Sequence, residues 1–514
     1  MSTEVEAKRD SMDASVLDVN SKLEATTLQP SASPKRPLGL TDLPPSVRNK
    51  IYAHVLDTEL VNLGKENVSY THTIIDGLLH FTASRPPFPV ETALFFANKQ
   101  IGQESQTWFY KKNLFVRFEI YSSDARHAKT MLEDSGVLFA TPDPSRLGHC
   151  KTHTMDLTIV EKNSSQKRAA VIFPAQYLPR LINFMDQAAR ASKTWAPSHA
   201  LFMTVRNTYG LDTARLQGDL LELFRMLNNM GAVTIEKQNL LPGFAEGLQN
   251  SLTAEQFDPD VWLACVRDMV DRGSQAMKEK DFDAGSQQCR AAVIAMTYAY
   301  LTRAEPLHMR PDSFHKSIQR LRYDAERVLG TSLRLKHSDL TTSSPTWLTN
   351  LPSSSTPKQD YDEQTAATDL LAAETATSQA LSLATDSPSP TSNPWFRSLP
   401  PEIIPPNKGE WFTDAERARA WFELGVVHIA LGEFLFAAGD LERAERLVAE
   451  LGEEEGGGKG APRRIGNGEG EGDVKGLSEE VSEAFGKARE GIDWSVKPGV
   501  RLKKAMAIAA RGGE

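Results

Sequence analysis

Leu43-Pro44-Pro45-Ser46-Val47-Arg48-Asn49-Lys50-Ile51-Tyr52-Ala53-His54-Val55-Leu56 reads as a short helix with a sharp start. Pro45 suits a first helical turn, where the missing N–H would go unpaired anyway and φ is already set. Thr41 and Asp42 stand upstream as candidate caps. Val47, Ile51 and Val55 recur at i, i+4 and i+8 and make one apolar stripe, which Tyr52 and Leu56 widen. The plain interpretation is an amphipathic helix packed on its own domain. The functional one is a helix that presents this stripe to a partner.

Downstream, residues 61–93 read as irregular, with Ser84-Arg85-Pro86-Pro87-Phe88-Pro89 as a stiff loop. Leu94, Phe95, Ala97, Ile101, Trp108 and Phe109 then follow a helical period. Lys111-Lys112-Asn113 breaks it, and Leu114 to Ile120 alternates as a strand. A helix therefore feeds a strand.

Three groups of residues in this region resemble fungal F-box-like proteins. The first is Leu43, Pro44, Val47, Arg48, Ile51 and Tyr52, the second Asn98, Lys99, Gln100 and Ile101, and the third Phe109, Tyr110, Asn113 and Phe115. The family pattern is Leu-Pro-x-Glu-[Ile/Val]-Arg-x-x-Ile-Tyr, a helix with [Cys/Asn]-[Arg/Lys]-Gln, then Phe-Tyr-x-x-Asn-x-Phe. The chain departs from it at Ser46, where Glu is usual, and in the long spacer between the helices. The resemblance covers residues 38–120. It implies that Leu43, Pro44, Val47, Ile51 and Tyr52 face an adaptor of the Skp type in a cullin–RING ubiquitin ligase.

Residues 121–248 read as alternating strands and helices. Met155 to Val160, Leu201 to Val205 and Ala232 to Ile235 are strands; Leu216, Leu220, Leu221, Leu223, Phe224 and Leu227 mark an amphipathic helix. Strand–helix–strand at this spacing favours βαβ packing on a parallel sheet.

From about residue 250 the pattern is helical. Gly273, Asp281, Phe282 and Gly285 resemble a tetratricopeptide repeat (TPR), in which small residues let two helices cross closely and an Asp-aromatic pair opens the second. Gly330 reads as the end of one further helix. Leu431, Gly432, Leu435, Gly439, Asp440 and Ala444 give a second such resemblance. The expected organisation is TPR-like helices at 250–337 and 396–452 around a disordered Ser/Thr/Pro/Ala-rich insertion at 338–395. Within it, Asp369 to Glu374 reads as a transient helix. Residues 1–36 read as disordered and 453–476 as a flexible linker. Two helices fill 477–514; Lys503, Lys504 and Arg511 make the last one basic, and it reads as a cap for the array rather than as a membrane-surface helix, for which it is short. Ser33-Pro34, Thr356-Pro357, Ser387-Pro388 and Ser389-Pro390 are candidate phosphorylation sites or chance Ser/Thr-Pro pairs.

Composition narrows the function. The 514 residues have room for roughly two to four domains. A net charge of −9 speaks against an overall basic nucleic-acid binder. No run of apolar residues is long enough to span a membrane, and the start lacks a secretory h-region. Three cysteines, Cys150, Cys265 and Cys289, fit reduced thiols in the cytosol or nucleus. No P-loop, Gly-x-Gly-x-x-Gly, His-Glu-x-x-His or Gly-x-Ser-x-Gly pattern is present. His149, Cys150 and His153 lack a second pair at zinc spacing. Cys265, Cys289 and His428 sit within apolar helical patterns as packing residues.

The expected fold is α+β: an F-box-like helix, a small α/β region, and a TPR-like helical array interrupted by disorder. The expected function is non-catalytic protein–protein interaction, with protein partners and no cofactor, metal, nucleic acid, membrane or small molecule. The alternatives are a scaffold that binds through its array without any ligase link, and an enzyme with a polar pocket in the α/β region.

Overall fold

The computed structural model describes residues 39–140, 147–148, 150–343, 347–348, 357–385, 411–456 and 471–510. The disorder expected at 1–36, Ser33, His149, Thr356 and the two Ser-Pro pairs at 387–390 lie outside them. The chain divides into Met1–Pro44 and Pro45–Glu514. In the first unit Leu40–Asp42 forms a 3₁₀ turn, and Asp42 Oδ2 accepts the Gly39 N–H at 2.8 Å.

The second unit opens with α1 (Pro45–Leu56), whose first residue is the proline suited to that place. Next comes a hairpin of β1 (Tyr70–Ile75) and β2 (Leu78–Ala83). Asp76 and Gly77 have φ of 52° and 77°, as a two-residue type I′ turn requires. The irregular interpretation of 61–93 is thus corrected at 70–83. The Asp-Gly pair between Ile74-Ile75 and Leu78-Leu79 is a hairpin signal in its own right. Helix α2 (Lys99–Lys112) follows, its N-cap Asn98 accepting the Ile101 N–H at 2.9 Å.

A mixed five-stranded sheet comes next. Its elements are β3 (Phe115–Tyr121), α3 (Ala125–Asp134), β4 (Met155–Glu161), β5 (Lys167–Pro174), α4 (Leu178–Ala191), β6 (His199–Val205), α5 (Thr213–Leu221), β7 (Ala232–Ile235) and α6 (Phe244–Thr253). The strand order is β5-β3-β4-β6-β7. β3/β4 and β6/β7 are parallel, as the strand–helix–strand spacing led one to expect; β3/β5 and β4/β6 are antiparallel. An all-parallel sheet is therefore corrected to a mixed one. β5 escapes the sequence pattern because Lys167-Arg168 and Pro174 frame its Ala169-Val171-Phe173 alternation. One face of the sheet is apolar and buried under helices. The other carries Arg117, Glu119, Asp156 and Thr158 half-buried and Phe202 exposed.

The rest is helical: α7 (Pro259–Lys278), α8 (Phe282–Thr302), α9 (Asp312–Lys336), α10 (Pro357–Ala384), α11 (Asp414–Ala430), α12 (Phe434–Gly456), α13 (Glu471–Glu490) and α14 (Val500–Ala509). The shift at residue 250 marks where strands stop, not where one core ends. A single apolar cluster runs from the sheet strands through α7 and α8 to Phe314, Ile318 and Ala325 of α9. Gly218 of α5 lies against Ile294 of α8 and brings the two parts together.

Three expectations change here. Gly330 does not end α9, which continues to Lys336. The linker at 453–476 yields residues 453–456 to α12 and 471–476 to α13. The insertion at 338–395 is in large part ordered. Ser338–Ser343 is helical, Trp347 and Leu348 are buried, and Trp347 Nε1 donates to the Ala430 carbonyl at 3.0 Å. Most of the rest is α10, with Ala366, Leu370, Ala373, Thr377, Ala380 and Ala384 all buried. They recur at alternating four- and three-residue steps, a helical stripe of small side chains. A composition rich in Ala, Thr and Ser hides that stripe when residues are counted without their spacing.

Candidate functional site

Two surfaces carry the candidate residues. The first is α1. Its inward face is Arg48, Tyr52 and Leu56, all buried. The Arg48 guanidinium grips Glu104 of α2 with two bonds, Nε to Oε2 at 2.8 Å and Nη2 to Oε1 at 2.9 Å. The Tyr52 hydroxyl donates to Glu104 Oε2 at 3.2 Å. Burial, reinforced by the Glu104 charge, pushes the Tyr52 phenol up to about 12. Burial works to raise the Glu104 carboxyl, but the Arg48 hydrogen bond outweighs it and holds the group below its usual range.

Asn113 completes this joint. Its Oδ1 accepts the Thr58 N–H and hydroxyl, both at 2.9 Å, and its Nδ2 donates to the Leu56 and Phe109 carbonyls at 3.1 and 2.9 Å. A buried amide with every group satisfied ties the end of α1 to the end of α2. Tyr52 is therefore core and is removed from the adaptor face. Val47, 39% exposed, Ile51 and Val55, both half-buried, form the outer edge. In the preceding unit Leu43 is half-buried and Pro44 exposed. The sequence pattern missed Glu104 altogether; Arg48 standing four residues before Tyr52 on one helical face was its available signal.

The second surface is the helical array, built of three hairpins with one kind of lock. In α7/α8, a methyl group on Gly273 would stand 2.5 Å from Cys289 Sγ and 3.2 Å from the Gly285 carbonyl. In α9/α10, one on Gly330 would meet Thr377 Cγ2 at 2.6 Å and the Ala373 carbonyl at 3.2 Å. In α11/α12, one on Gly425 would meet Leu441 Cγ at 2.6 Å. Each hairpin thus pairs a glycine on its first helix with one side chain on its second.

The first and third hairpins also share a turn. Asp281 N–H bonds the Ala276 carbonyl and Lys280 N–H that of Met277, with Lys280 at φ 64°. Glu433 N–H bonds the His428 carbonyl and Gly432 N–H that of Ile429, with Gly432 at φ 73°. Both are Schellman caps. Asp281 then caps α8 by accepting the Ala284 N–H at 3.0 Å, and Phe282 is that helix's first residue.

The third hairpin corrects the sequence register. Its turn is at Gly432-Glu433, while Gly439 and Asp440 lie inside α12. Asp440 is buried and bonds His428 Nδ1 at 2.7 Å, which accounts for both as structural residues. Leu431 is buried at the turn, Leu435 is exposed, and Ala444 packs in the apolar cluster of α11, α12 and α13. The close-approach pair is Gly425 with Leu441, two helical turns before the glycine that the sequence pattern favoured.

The first helices of the second and third hairpins are tied to each other. Arg320 of α9 pairs with Glu416 of α11, the Tyr323 hydroxyl donates to the Glu416 carbonyl at 2.9 Å, and Thr331 Oγ1 donates to Glu423 at 3.0 Å.

As for chemistry, no three His, Cys, Asp or Glu side chains stand close enough to hold a metal among the described residues. His153 Nε2 bonds Asp156 at 2.8 Å, and Asp156 also takes Arg117 and Arg206 at 2.7 Å. Cys289 is buried, and burial pushes its thiol up to about 12, which suits a packing residue. A cavity of about 470 Å³ lies beside the ends of β4, β6 and β7. Its ionisable lining groups are Glu161, Lys162 and His199. Glu161 is engaged by Ser122 and Ser123, and His199 Nδ1 by the Trp195 carbonyl.

No helix among the described residues is long and apolar enough to cross a membrane. No protein-family model, curated protein or solved structure matches this chain.

Proposed function

We propose that this chain is a non-catalytic interaction protein of the F-box-like kind. Its helical array is TPR-like and holds a protein partner. The outer edge of α1 docks a Skp-type adaptor, making the chain a substrate-recognition subunit of a cullin–RING ligase. It acts by proximity and makes no bonds itself.

The observation that carries the interaction function is the lock repeated in three hairpins, Gly273 with Cys289, Gly330 with Thr377 and Gly425 with Leu441. Stacked hairpins with a shared close-contact position build extended surfaces, and such surfaces serve binding. The adaptor function rests on the outward placement of Val47 beside Ile51.

A second possibility, a scaffold with no ligase link, is favoured by Arg48, Tyr52 and Asn113. These motif residues serve the protein's own joint between α1 and α2. Mixing the purified full chain with a purified Skp-type adaptor separates the two. Complex formation that Val47→Asp/Ile51→Asp abolishes supports the ligase function. A wild-type chain that recovers neither adaptor nor cullin, directly or from a fungal extract, leaves the scaffold. Leu43→Ala/Ile51→Ala is the milder variant for the same extract.

A further inference from the structure

A sheet edge is a row of backbone N–H and C=O groups that another chain can complete, and folded proteins blunt it with charge, proline, bulges or a covering element. The outer strands of the five-stranded sheet are blunted in this way. β5 carries Lys167, Arg168 and Pro174 and is bridged by Ala140 at Ile172. β7 has four residues, and Gln249 Nε2 of α6 donates to its Val233 carbonyl at 3.0 Å. In the hairpin, β2 lies toward β5 and α3, which leaves β1 as the outer strand. β1 has none of these devices. Its six residues, Tyr70-Thr71-His72-Thr73-Ile74-Ile75, include no Asp, Glu, Lys, Arg or Pro and run in unbroken register against β2. All but Tyr70 are exposed, Ile74 to 57% and Ile75 to 53%.

The turn fixes which groups are free. In a two-residue hairpin the pair flanking the turn, Ile75 with Leu78, exchanges hydrogen bonds, and bonded pairs recur at every second residue. Thr73 and Thr71 therefore bond β2, and the Ser84 N–H bonds the Ser69 carbonyl at 2.8 Å in the same phase. The backbone groups of Tyr70, His72 and Ile74 point away from β2, and none has a partner among the described residues.

We propose that the chain forms a two-fold dimer in which β1 pairs antiparallel with β1 of a second copy, centred on His72. The choice of a second copy follows from the register. Free groups at three alternate residues match themselves when reversed: His72 bonds His72, and Tyr70 bonds Ile74. Ile74 is then covered beside Tyr70 of the second copy, a ring already held by its stack on Phe139 at 4.1 Å. Charge fits as well. At the centre each His72 ring has Glu133 of α3 at 3.9 Å beside it. Four residues beyond the centre, Asp76 of each copy comes opposite Val68 of the other. At that end Lys65 and Glu66 cancel, and Arg85 donates to the Glu66 carbonyl at 2.8 Å. Neither Arg85 nor Asp76 has an ion pair among the described residues, so each dimer offers two new ones.

The test is sedimentation equilibrium of the full-length chain over a concentration series. A single seam of this length is a small interface, so the mass should rise from monomer to dimer at micromolar concentrations. His72→Pro removes an outward N–H and leaves the bonds to β2, and it should abolish the dimer. Ile74→Lys puts a charge on the edge and should weaken the dimer roughly ten-fold or more. Asp76→Asn keeps a residue suited to positive φ; each exposed ion pair is worth up to about five-fold, so this variant should weaken the dimer several-fold at low salt and less at high salt. Ile74→Lys and Asp76→Asn should melt as wild type does in dilute solution, which separates lost pairing from lost folding. Under mild oxidation His72→Cys should cross-link to itself and Thr73→Cys should not, because residue 72 alone faces its own copy. A chain that stays monomeric throughout, a dimer that Ile74→Lys leaves intact, or self-linking at 73 and not at 72 overturns the proposal. So does capture of an extended apolar peptide by a chain that does not dimerise.

Discussion

Gly330 of α9 and Thr377 of α10 touch where their helices cross, with room for a hydrogen atom and no more: a methyl group at 330 would stand 2.6 Å from Thr377 Cγ2. The Ala373 carbonyl, 3.2 Å away, closes the other side, and backbone cannot swing aside. Gly330→Ala would gain about 1 kcal/mol of helix propensity. Overpacking a tight crossing costs about 1–3 kcal/mol. A methyl forced to 2.6 Å from its neighbour belongs in the upper half of that range, so we expect a net loss of about 1–2 kcal/mol in urea unfolding. Thr377→Ser removes the offending methyl and keeps the hydroxyl bond to the Ala373 carbonyl, so the double variant should recover most of the loss. An alanine variant as stable as wild type would show that α9 and α10 do not cross here.

A carboxylate holds the last helix in place. Glu433 offers both oxygens to the first backbone N–H groups of α14, where the helix's own positive end favours a negative charge. Hydrogen bonds to a charged group are worth about 1.5–3 kcal/mol each, so losing two in Glu433→Ala should cost about 3–6 kcal/mol. The loss should be local. Amide exchange in residues 499–509 should quicken, while the sheet strands stay protected. Uniform quickening across the chain would mean that α14 is not a separable element.

Glu374 of α10 points the other way. Burial raises its carboxyl, nearby Asp440 adds to the rise, and His428 only partly opposes it. A carboxyl raised in the folded state makes the fold lose stability as pH climbs past the ordinary glutamate value and through the raised one. Glu374→Gln abolishes that dependence and keeps the contact with Ser378 Oγ. The variant should match wild type at pH 4 and melt higher at pH 7, by up to a few °C. A lower melting temperature at pH 7 would mean that the charged form is held by His428.

These sites show what the amino-acid order made legible. Gly273 was readable because Asp281-Phe282 follows it at the distance a tight hairpin needs. Gly425 was not, because Leu424-Gly425 and Leu431-Gly432 present the same dipeptide two helical turns apart. Only the positive φ of Gly432 tells the turn from the crossing. Gly330 looked like a stop because glycine is common there; what makes it a crossing is a helix more than forty residues away. α10 was hidden for a related reason. Its stripe of alanine and threonine carries little hydrophobicity per residue and is stabilised by close approach, which composition does not register. The α1 motif was legible as a helix, and Arg48 shares a face with Tyr52, but which acid that arginine pairs with is decided by α2, more than fifty residues on.

The two faces of α1 should come apart under substitution. Arg48 is buried and holds Glu104 by two bonds, so Arg48→Ala leaves a half-buried carboxylate without its cation. Breaking a fully buried pair costs about 3–5 kcal/mol; because Glu104 still reaches solvent, we expect about 2 kcal/mol. Glu104 is held below its usual range despite its burial, so its contribution is present above the ordinary glutamate value and disappears as pH falls through the lowered one. Glu104→Gln should therefore weaken the fold at pH 7 and flatten its acid limb. Val47→Asp on the opposite edge is exposed and should leave both the melt and that limb alone, within about 0.5 kcal/mol. Unfolding curves between pH 3 and pH 7 (on the order of single-unit steps) check all three variants. If Val47→Asp unfolds the chain as Arg48→Ala does, the outer edge is core, and no adaptor can dock there.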